Sequence, residues 1–345
     1  MEDTGAEGSP PGTDESGFPA YHAGRCGGLA ELDAELVRCR ACPRLVAWRE
    51  ETAAQPRAAF RGQEYWARPV PGFGPSDAAL AIVGLAPAAH GGNRTGRMFT
   101  GDTSGDFLFA ALHAVGLASQ PTATDRDDGL ELYGVRITAP VHCAPPENRP
   151  TTAERRTCRP WLSAELQLLS PGLRAVVALG AFGWQALLPV LGETGWPLPR
   201  PRPAFGHGVR LTLPATGRRR ELQVLGSYHP SQRNTFTGRL TSDMLIELLA
   251  DAAEAAGLTP SADRLRRRAA RDTHFYSGAE RCADRRAVRP KGRGELRDQP
   301  RRSRTRRRRP RRDRSALSRN AEECAWRIRS RSPHRSAPSR AGTGQ

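Results

Sequence analysis

The feature that most restricts the fold of this chain is a set of four short apolar runs, Leu80–Val83, Val135–Val141, Ala175–Leu179 and Leu222–Ser227. The first and third read LAIV and AVVAL, apolar at every position rather than at every second one. A strand with one wet face alternates, so unbroken runs of this length suit strands buried on both faces. Helical patterns surround them: Leu29–Arg38, Ser104–Val115, Thr152–Leu169, Ala181–Leu191 and Leu240–Ala256. Strands alternating with helices predict an α/β fold with a mostly parallel sheet covered on both faces.

The pattern bounds three regions. Residues 1–28, rich in Gly, Pro, Ser and acid, read as a disordered arm, residues 29–258 as the globular domain, and residues 259–345 as a disordered Arg-rich tail. The formal charge of +17 belongs to that tail, since residues 261–345 carry 28 Lys and Arg against 9 Asp and Glu, and residues 1–260 carry 25 against 27. Global charge is therefore no argument for nucleic-acid binding by the domain, which needs a local basic patch. The run RRSRTRRRRPRRDR at 301–314 has two readings. It is a solvated polycation, non-native if it comes from read-through or a shifted frame, or a non-specific phosphate-binding arm. No apolar run approaches the ~20 residues of a membrane span. The N-terminus lacks the pattern of a signal peptide, and a cytoplasmic protein is expected.

Chemistry is concentrated in the cysteines and in two loops. Cys39 and Cys42 form a C-x2-C pair, and Cys143 and Cys158 a wide C-x14-C pair about a hundred residues away. Four thiolates can hold Zn²⁺ or an iron–sulfur cluster, and the spacing leaves both open. The first loop, GLAPAAHGGNRTGRMFTGD, follows the first apolar run and has no Asp, Glu, Cys or Ser before Asp102. The second, GSYHPSQRN, follows the fourth run and carries His229, held extended by Pro230. In open parallel sheets ligands bind beyond the carboxyl ends of the strands, where both loops are expected.

The segments CRACPRLVAWREE, GLAPAAHGGNRTGRMFTGD, HCAPPENRPT with Cys158 beyond it, and SYHPSQRNTFTGRLT occur in this order between about Leu29 and Gly257. Together they closely resemble the family 5 uracil-DNA glycosylases, the type B enzymes of the uracil-DNA glycosylase superfamily. The resemblance implies a three-layer α/β/α sandwich around a short, mainly parallel four-stranded sheet. It implies a 4Fe–4S cluster on Cys39, Cys42, Cys143 and Cys158. It also implies hydrolysis of uracil, and of hypoxanthine or xanthine, from double-stranded DNA containing deaminated bases, at the start of base excision repair. A monomer in the bacterial cytoplasm, associated with the nucleoid and not with membrane, is the expected form. The alternative is a non-catalytic damaged-DNA-binding protein with a structural four-cysteine metal site.

Roles follow from this reaction. It must extrude the nucleotide, stabilise charge on the departing base and direct water at C1′. Where other superfamily members carry an acid or amide early in the first loop, this chain has Leu85, Ala86, Ala88 and Ala89, so no base carries over from them. Asp102 is the expected water-orienting carboxylate, a helix N-cap, or both. A neutral His229 would donate to the uracil O2. Phe99 would stack on the base or pack in the core, and Asn93 would read an amide edge or brace a turn. His90 is a further proton-donor candidate. Gly84, Ala86, Ala88 and Gly91, with Pro87 on the same substrate wall, would offer amides and close approach. Ser231, Arg233, Asn234, Phe236 and Arg239 form the expected DNA-entering loop, with Arg233 and Arg239 on phosphates and Phe236 as a wedge. Asn148-Arg149-Pro150 are placed near the thiols as DNA-backbone contacts.

Overall fold

The computed structural model describes residues 10–217 and 219–258. The disorder expected of residues 1–9 and the Arg-rich tail at 259–345 lie outside the described residues.

The sheet is formed by β1 (Leu80–Val83), β2 (Val135–Thr138), β3 (Ala175–Leu179), β4 (Arg210–Leu213) and β5 (Leu222–Ser227), in the order β2-β1-β3-β5-β4. The first four in that order are parallel, with Ile82 opposite both Ile137 and Val177, and Val177 opposite Leu225. Every residue of β1, β2 and β3 is buried. The side chains of β1 and β3 face two cores: Ala81, Val83, Val176 and Ala178 point to one, and Leu80, Ile82, Ala175 and Val177 to the other. This two-sided burial is what removes alternation from the sequence.

The sheet has five strands, a correction to the expected four. β4 pairs antiparallel with β5 at the edge, and Arg210 and Thr212 face outward while Leu211 and Leu213 face inward. Its alternation is that of a strand wet on one side.

One core is roofed by α1 (Phe18–Ala23), α2 (Leu29–Leu36), α6 (Thr152–Leu169) and α7 (Gly180–Glu193), and the other by α5 (Thr103–Ala114) and α9 (Ser242–Ala255). The remaining helices are α3 (Pro43–Ala54), α4 (Gly92–Thr95) and α8 (Gln232–Phe236). The helix ends follow local chemistry. The Thr151 hydroxyl accepts from Glu154 N, and the Glu154 carboxylate accepts from Thr151 N, a complete capping box at α6. Pro43 opens α3.

The expected disordered arm is corrected for residues 10–28. Phe18 is 1% exposed, with its ring centroid 6.1 Å from that of Trp161 in α6. An aromatic ring buried this fully gives the segment enough apolar contact to order it, in spite of its Gly and Pro content.

One buried ionic cluster ties the layers together. Arg136 of β2 is 3% exposed. It donates from Nε to Glu165 of α6, from Nη2 to Asp33 of α2 at 2.8 Å and from Nη1 to Gly74 O at 3.0 Å. Thr138 donates to the second Glu165 oxygen. Removing the cation leaves the buried Glu165 carboxylate and the half-buried Asp33 carboxylate without their counter-ion. Arg136→Ala should therefore destabilise the fold by about 3–5 kcal/mol, measured by denaturant unfolding.

Candidate active site

The first loop leaves β1 at Gly84. The Gly84 amide donates to Thr138 O at 2.9 Å, so it belongs to the sheet and is not open to a ligand, which corrects its expected role. What Gly84 provides is space: a Cβ there would lie 2.8 Å from the Phe99 ring. Gly105 does the same on the other side, where a Cβ would stand 1.8 Å from Phe99 O. Phe99 itself has φ +52, a left-handed conformation that costs a non-glycine residue about 1–3 kcal/mol. Two glycines thus accommodate a strained aromatic residue at the strand end.

Asp102 is both cap and candidate base. Its Oδ1 accepts from Ser104 N and Gly105 N, each at 3.0 Å, and closes the N-terminus of α5. Its Oδ2 lies over Gly91, where a Cβ would stand only 2.1 Å away. Burial pushes the Asp102 carboxyl above the ordinary aspartate range, the two capping amides draw it back, Asp106 pushes it up and Arg94 draws it down. Arg94 also holds the loop in register. It donates from Nε to His90 O at 2.8 Å and from Nη2 to Gly101 O at 3.0 Å, the carbonyls just before Gly91 and Asp102.

These residues border a cavity of about 280 Å³. Leu85, Met98 and Ala139 give it apolar walls, and Ala86, Pro87 and Ala88 line it as expected. Six residues bring polar or aromatic chemistry to it: Phe99, Asp102, Asn148 and His229, with Ser104 and Ser231 at the rim. The His229 and Phe99 rings lie 5.8 Å apart at 32°. His229 keeps some surface, but as part of the cavity lining. Burial pushes its imidazole down to about 4, so it is neutral at pH 7.

Asn148 is the residue the sequence reading misplaced. It lines the cavity, at φ +55, directly after Glu147 at φ +54. Asn tolerates the left-handed region better than most residues. The signal in the sequence was an Asn in a Pro-bounded turn, PENRP, on the loop after a parallel strand.

The cavity opens into a groove of about 1090 Å³, and the two share Ala88, Asp102, Ser104, Asn148 and Ser231. Arg57, Phe60, Arg94 and Arg233 line the groove. Several expected roles change here. His90 lines the groove rather than the cavity, with Nδ1 2.8 Å from the Tyr65 hydroxyl and its ring stacked on Phe60 at 6.0 Å. Gly91 lines the groove as well. Asn93 is 0% exposed and donates to Arg49 O and Ala89 O, so it braces the loop and does not read a base. Asn234 donates to His229 O at 2.8 Å and so braces the backbone of the histidine. Ser231 lies on the shared rim and Arg233 on the groove. Arg239 stands 4.5 Å over the Tyr228 ring. Phe236, 80% exposed, is the one exposed large apolar side chain among the described residues.

The Uracil DNA glycosylase superfamily model matches residues 71–253. The type-5 uracil-DNA glycosylase of Mycobacterium bovis is 56% identical over 236 residues, 68% of this chain and 85% of the relative. That of Mycobacterium leprae is 55% identical over 236 residues, 68% of this chain and 99% of the relative. That of Thermus thermophilus is 52% identical over 223 residues, 65% and 96%. The chain belongs to the type-5 family of the uracil DNA glycosylase superfamily. The motif resemblance is thus confirmed at the level of family.

In this type-5 chain the four cysteines of the motif meet. Cys39, Cys42, Cys143 and Cys158 line one small cavity, covered by Pro19 of α1 and Trp161 of α6. Burial pushes the Cys42 and Cys158 thiols up, and charge on neighbouring cysteines pushes them further. Arg49, 2% exposed, donates from Nη1 to Cys143 Sγ at 2.9 Å and lies near Cys39 O. His142 N donates to Cys158 Sγ at 3.4 Å. Among the described residues no group of three or more His, Cys, Asp and Glu is spaced to hold a single metal ion.

The double role of Asp102 can be separated. Asp102→Asn keeps a capping oxygen but no base, whereas Asp102→Ala loses both. Thermal unfolding should show Asp102→Asn close to the parent and Asp102→Ala less stable by about 1 kcal/mol. Base release, if Asp102 directs the water, should fall alike in both.

Proposed function

We propose that this chain hydrolyses the N-glycosidic bond of uracil in DNA. The observation that carries the reading is the convergence of Phe99, Asp102, Asn148 and His229 on one cavity at the rim of a groove. The family membership and the names of the relatives, uracil-DNA glycosylases, support it.

An extruded nucleotide enters from the groove. The Phe99 ring stacks on the base, and the Asn148 amide can pair with the base's own amide edge. Water adds its oxygen to C1′ as the C1′–N1 bond breaks, and the bonding pair leaves with the base. Negative charge therefore grows on the base carbonyl, where neutral His229 donates a hydrogen bond. A donor of this kind is worth roughly 10²–10³ in rate. The Asp102 carboxylate takes the proton of the attacking water, and burial makes it a better base than an exposed aspartate. The alanines at 86, 88 and 139 leave width that larger side chains would fill, which supports extending the substrates to hypoxanthine and xanthine. Release of such bases would place the enzyme at the start of base excision repair.

The cysteine set fits a 4Fe–4S cluster. Four thiols line one cavity, and a buried guanidinium donates to one of them. A buried cation without an anion carries a penalty of several kcal/mol, which an anionic thiolate set would offset. The group would supply a covalent tie among the segments that carry the four cysteines. The hydrolysis itself is carried by side chains at the other cavity. Iron and zinc analysis with the visible spectrum of anaerobically purified protein tests this. About four irons per chain with a brown chromophore are expected, and a colourless protein with stoichiometric zinc would overturn the assignment.

The activity is tested on a duplex with one uracil, treated with alkali after incubation. A strand break at the uracil is expected, and duplex binding without a break would instead support the damage-binding alternative. His229→Ala should slow single turnover by roughly 10²–10³ while leaving duplex affinity nearly intact. The rate should decline on the acid side with a midpoint above 3.8, as the raised Asp102 carboxyl is protonated. His229, at about 4, titrates in the same range, so the limb is assigned by variants: one that persists in Asp102→Asn and is lost in His229→Ala would remove Asp102 from the role of base.

A further inference from the structure

A second cavity, of about 220 Å³, lies between α6 and α7 and is lined by Arg155, Arg156 and Arg159 with Gln185 and Pro140. No acidic side chain lines it. Arg155 and Arg156 make no ion pair among the described residues, and Arg155 stands 5.6 Å over the ring of Phe182. Arg159 pairs through Nη2 with Glu193, outside the lining, while its Nε is buried without a hydrogen-bond partner. Three like charges on adjacent turns of one helix repel, and Arg155 and Arg159 are four residues apart on the same face. A concave site of one sign concentrates counter-ions of the other. Arginine in particular offers paired N–H donors to phosphate oxygens.

The position of this cavity gives its ligand. Ala139 lines the base cavity, and the next residue, Pro140, lines the arginine cavity. The two sites therefore lie on either side of one backbone segment just past the end of β2. Arg155 and Phe182 occupy the first turns of α6 and α7. Both helices follow parallel strands, so they start at the sheet edge where His229 and the Gly84–Asp102 loop stand.

We propose that Arg155, Arg156 and Arg159 form a phosphate site for the DNA backbone a few nucleotides from the extruded base, separate from the groove. This rests on the glycosylase reading for its ligand. The arginines grip one phosphodiester, and the contact anchors the duplex without touching the reacting atoms.

The test uses the full chain as isolated and the double variant R155Q/R156Q. Binding to a uracil duplex and to an undamaged duplex is measured across a salt series. The slope of log K against log salt should become shallower by about 0.9, the contribution of one phosphate, and affinity at low salt should fall about tenfold. Single turnover at saturating duplex should stay within about twofold of the parent. Gln185→Glu, which puts a carboxylate into the cavity, should weaken binding in the same direction and provides a second variant should the first fail to fold. An unchanged slope in a folded variant overturns the site. Calorimetric titration with inorganic phosphate is the other arm: phosphate binding lost in the variant while the DNA slope is unchanged would mark a free-anion site and overturn the DNA contact. If the parent breaks no uracil strand yet the slope shifts, the glycosylase reading fails and the phosphate site stands. Normal base release with an unchanged slope fails the site alone.

Discussion

Two backbone amides hold the carboxylate on which the candidate site turns. Ser104 N and Gly105 N both reach Asp102 Oδ1, and this shared capture leaves the side chain little rotation. Oδ2 is then set in place over Gly91, a position only glycine can concede. The same contacts set its basicity. Burial favours the neutral acid, while the capping amides and the N-terminal dipole of α5 favour the anion. The result is a fixed carboxylate that binds a proton more tightly than an exposed aspartate does. Cap and candidate base are thus one geometric arrangement, in which the helix terminus fixes the carboxylate in advance of any substrate.

That arrangement is braced from outside the loop. Asn93, buried behind it, donates to Ala89 O within the loop and to Arg49 O on α3. Arg49 in turn places its guanidinium against Cys143 Sγ. Ala67 N and Trp66 N add hydrogen bonds to Asn93 O and Arg94 O. The cysteine cavity and the base cavity are therefore joined by a short chain of buried contacts running through α3. This connection is mechanical: whatever fixes the cysteines also fixes α3, and α3 fixes the floor of the loop. A thiol site remote from the reacting bond can thereby matter to the site without entering the chemistry.

How far the sequence was legible depended on whether the deciding physics was local. β1, β3 and β5 match the apolar runs because burial on both faces writes itself into every residue. Thr152 opens α6 because Thr151 and Glu154 form a capping box within the chain itself. β4 escaped because its outward residues, Arg210 and Thr212, read like loop. α1 escaped because its ordering comes from Phe18 meeting Trp161, a residue far along the chain. The site divides along the same line. Asp102, His229 and Phe99, expected together from their places in strand-end loops, do line one cavity. Asn93, His90 and Asn234 sit in the same motifs, but their partners are Arg49 O, Tyr65 and His229 O, and only the folded chain shows that these partners turn them away from the cavity. Asn148 was read as part of the thiol neighbourhood because Cys143 is near it in sequence, whereas two successive left-handed residues redirect it to the base cavity.

The electrostatics of the groove bear on how a polyanion is received. Arg57, Arg94 and Arg233 line it together with Glu51, Asp106 and Glu147, so it is not a uniformly basic channel. Arg94 has also committed donors to His90 O and Gly101 O. Attraction for phosphate is therefore local and directional, concentrated where arginines project. The acids, Asp102 among them, occupy the region from which a backbone would be repelled. A neutral base suffers no such repulsion. Under the proposed glycosylase reading, the mixed lining favours docking with phosphates at the arginines and the base directed inward past Asp102. Phe236, three positions from both Arg233 and Arg239 along the chain, keeps its apolar ring exposed. An exposed ring of that size carries a hydration cost that any apolar surface laid over it would relieve.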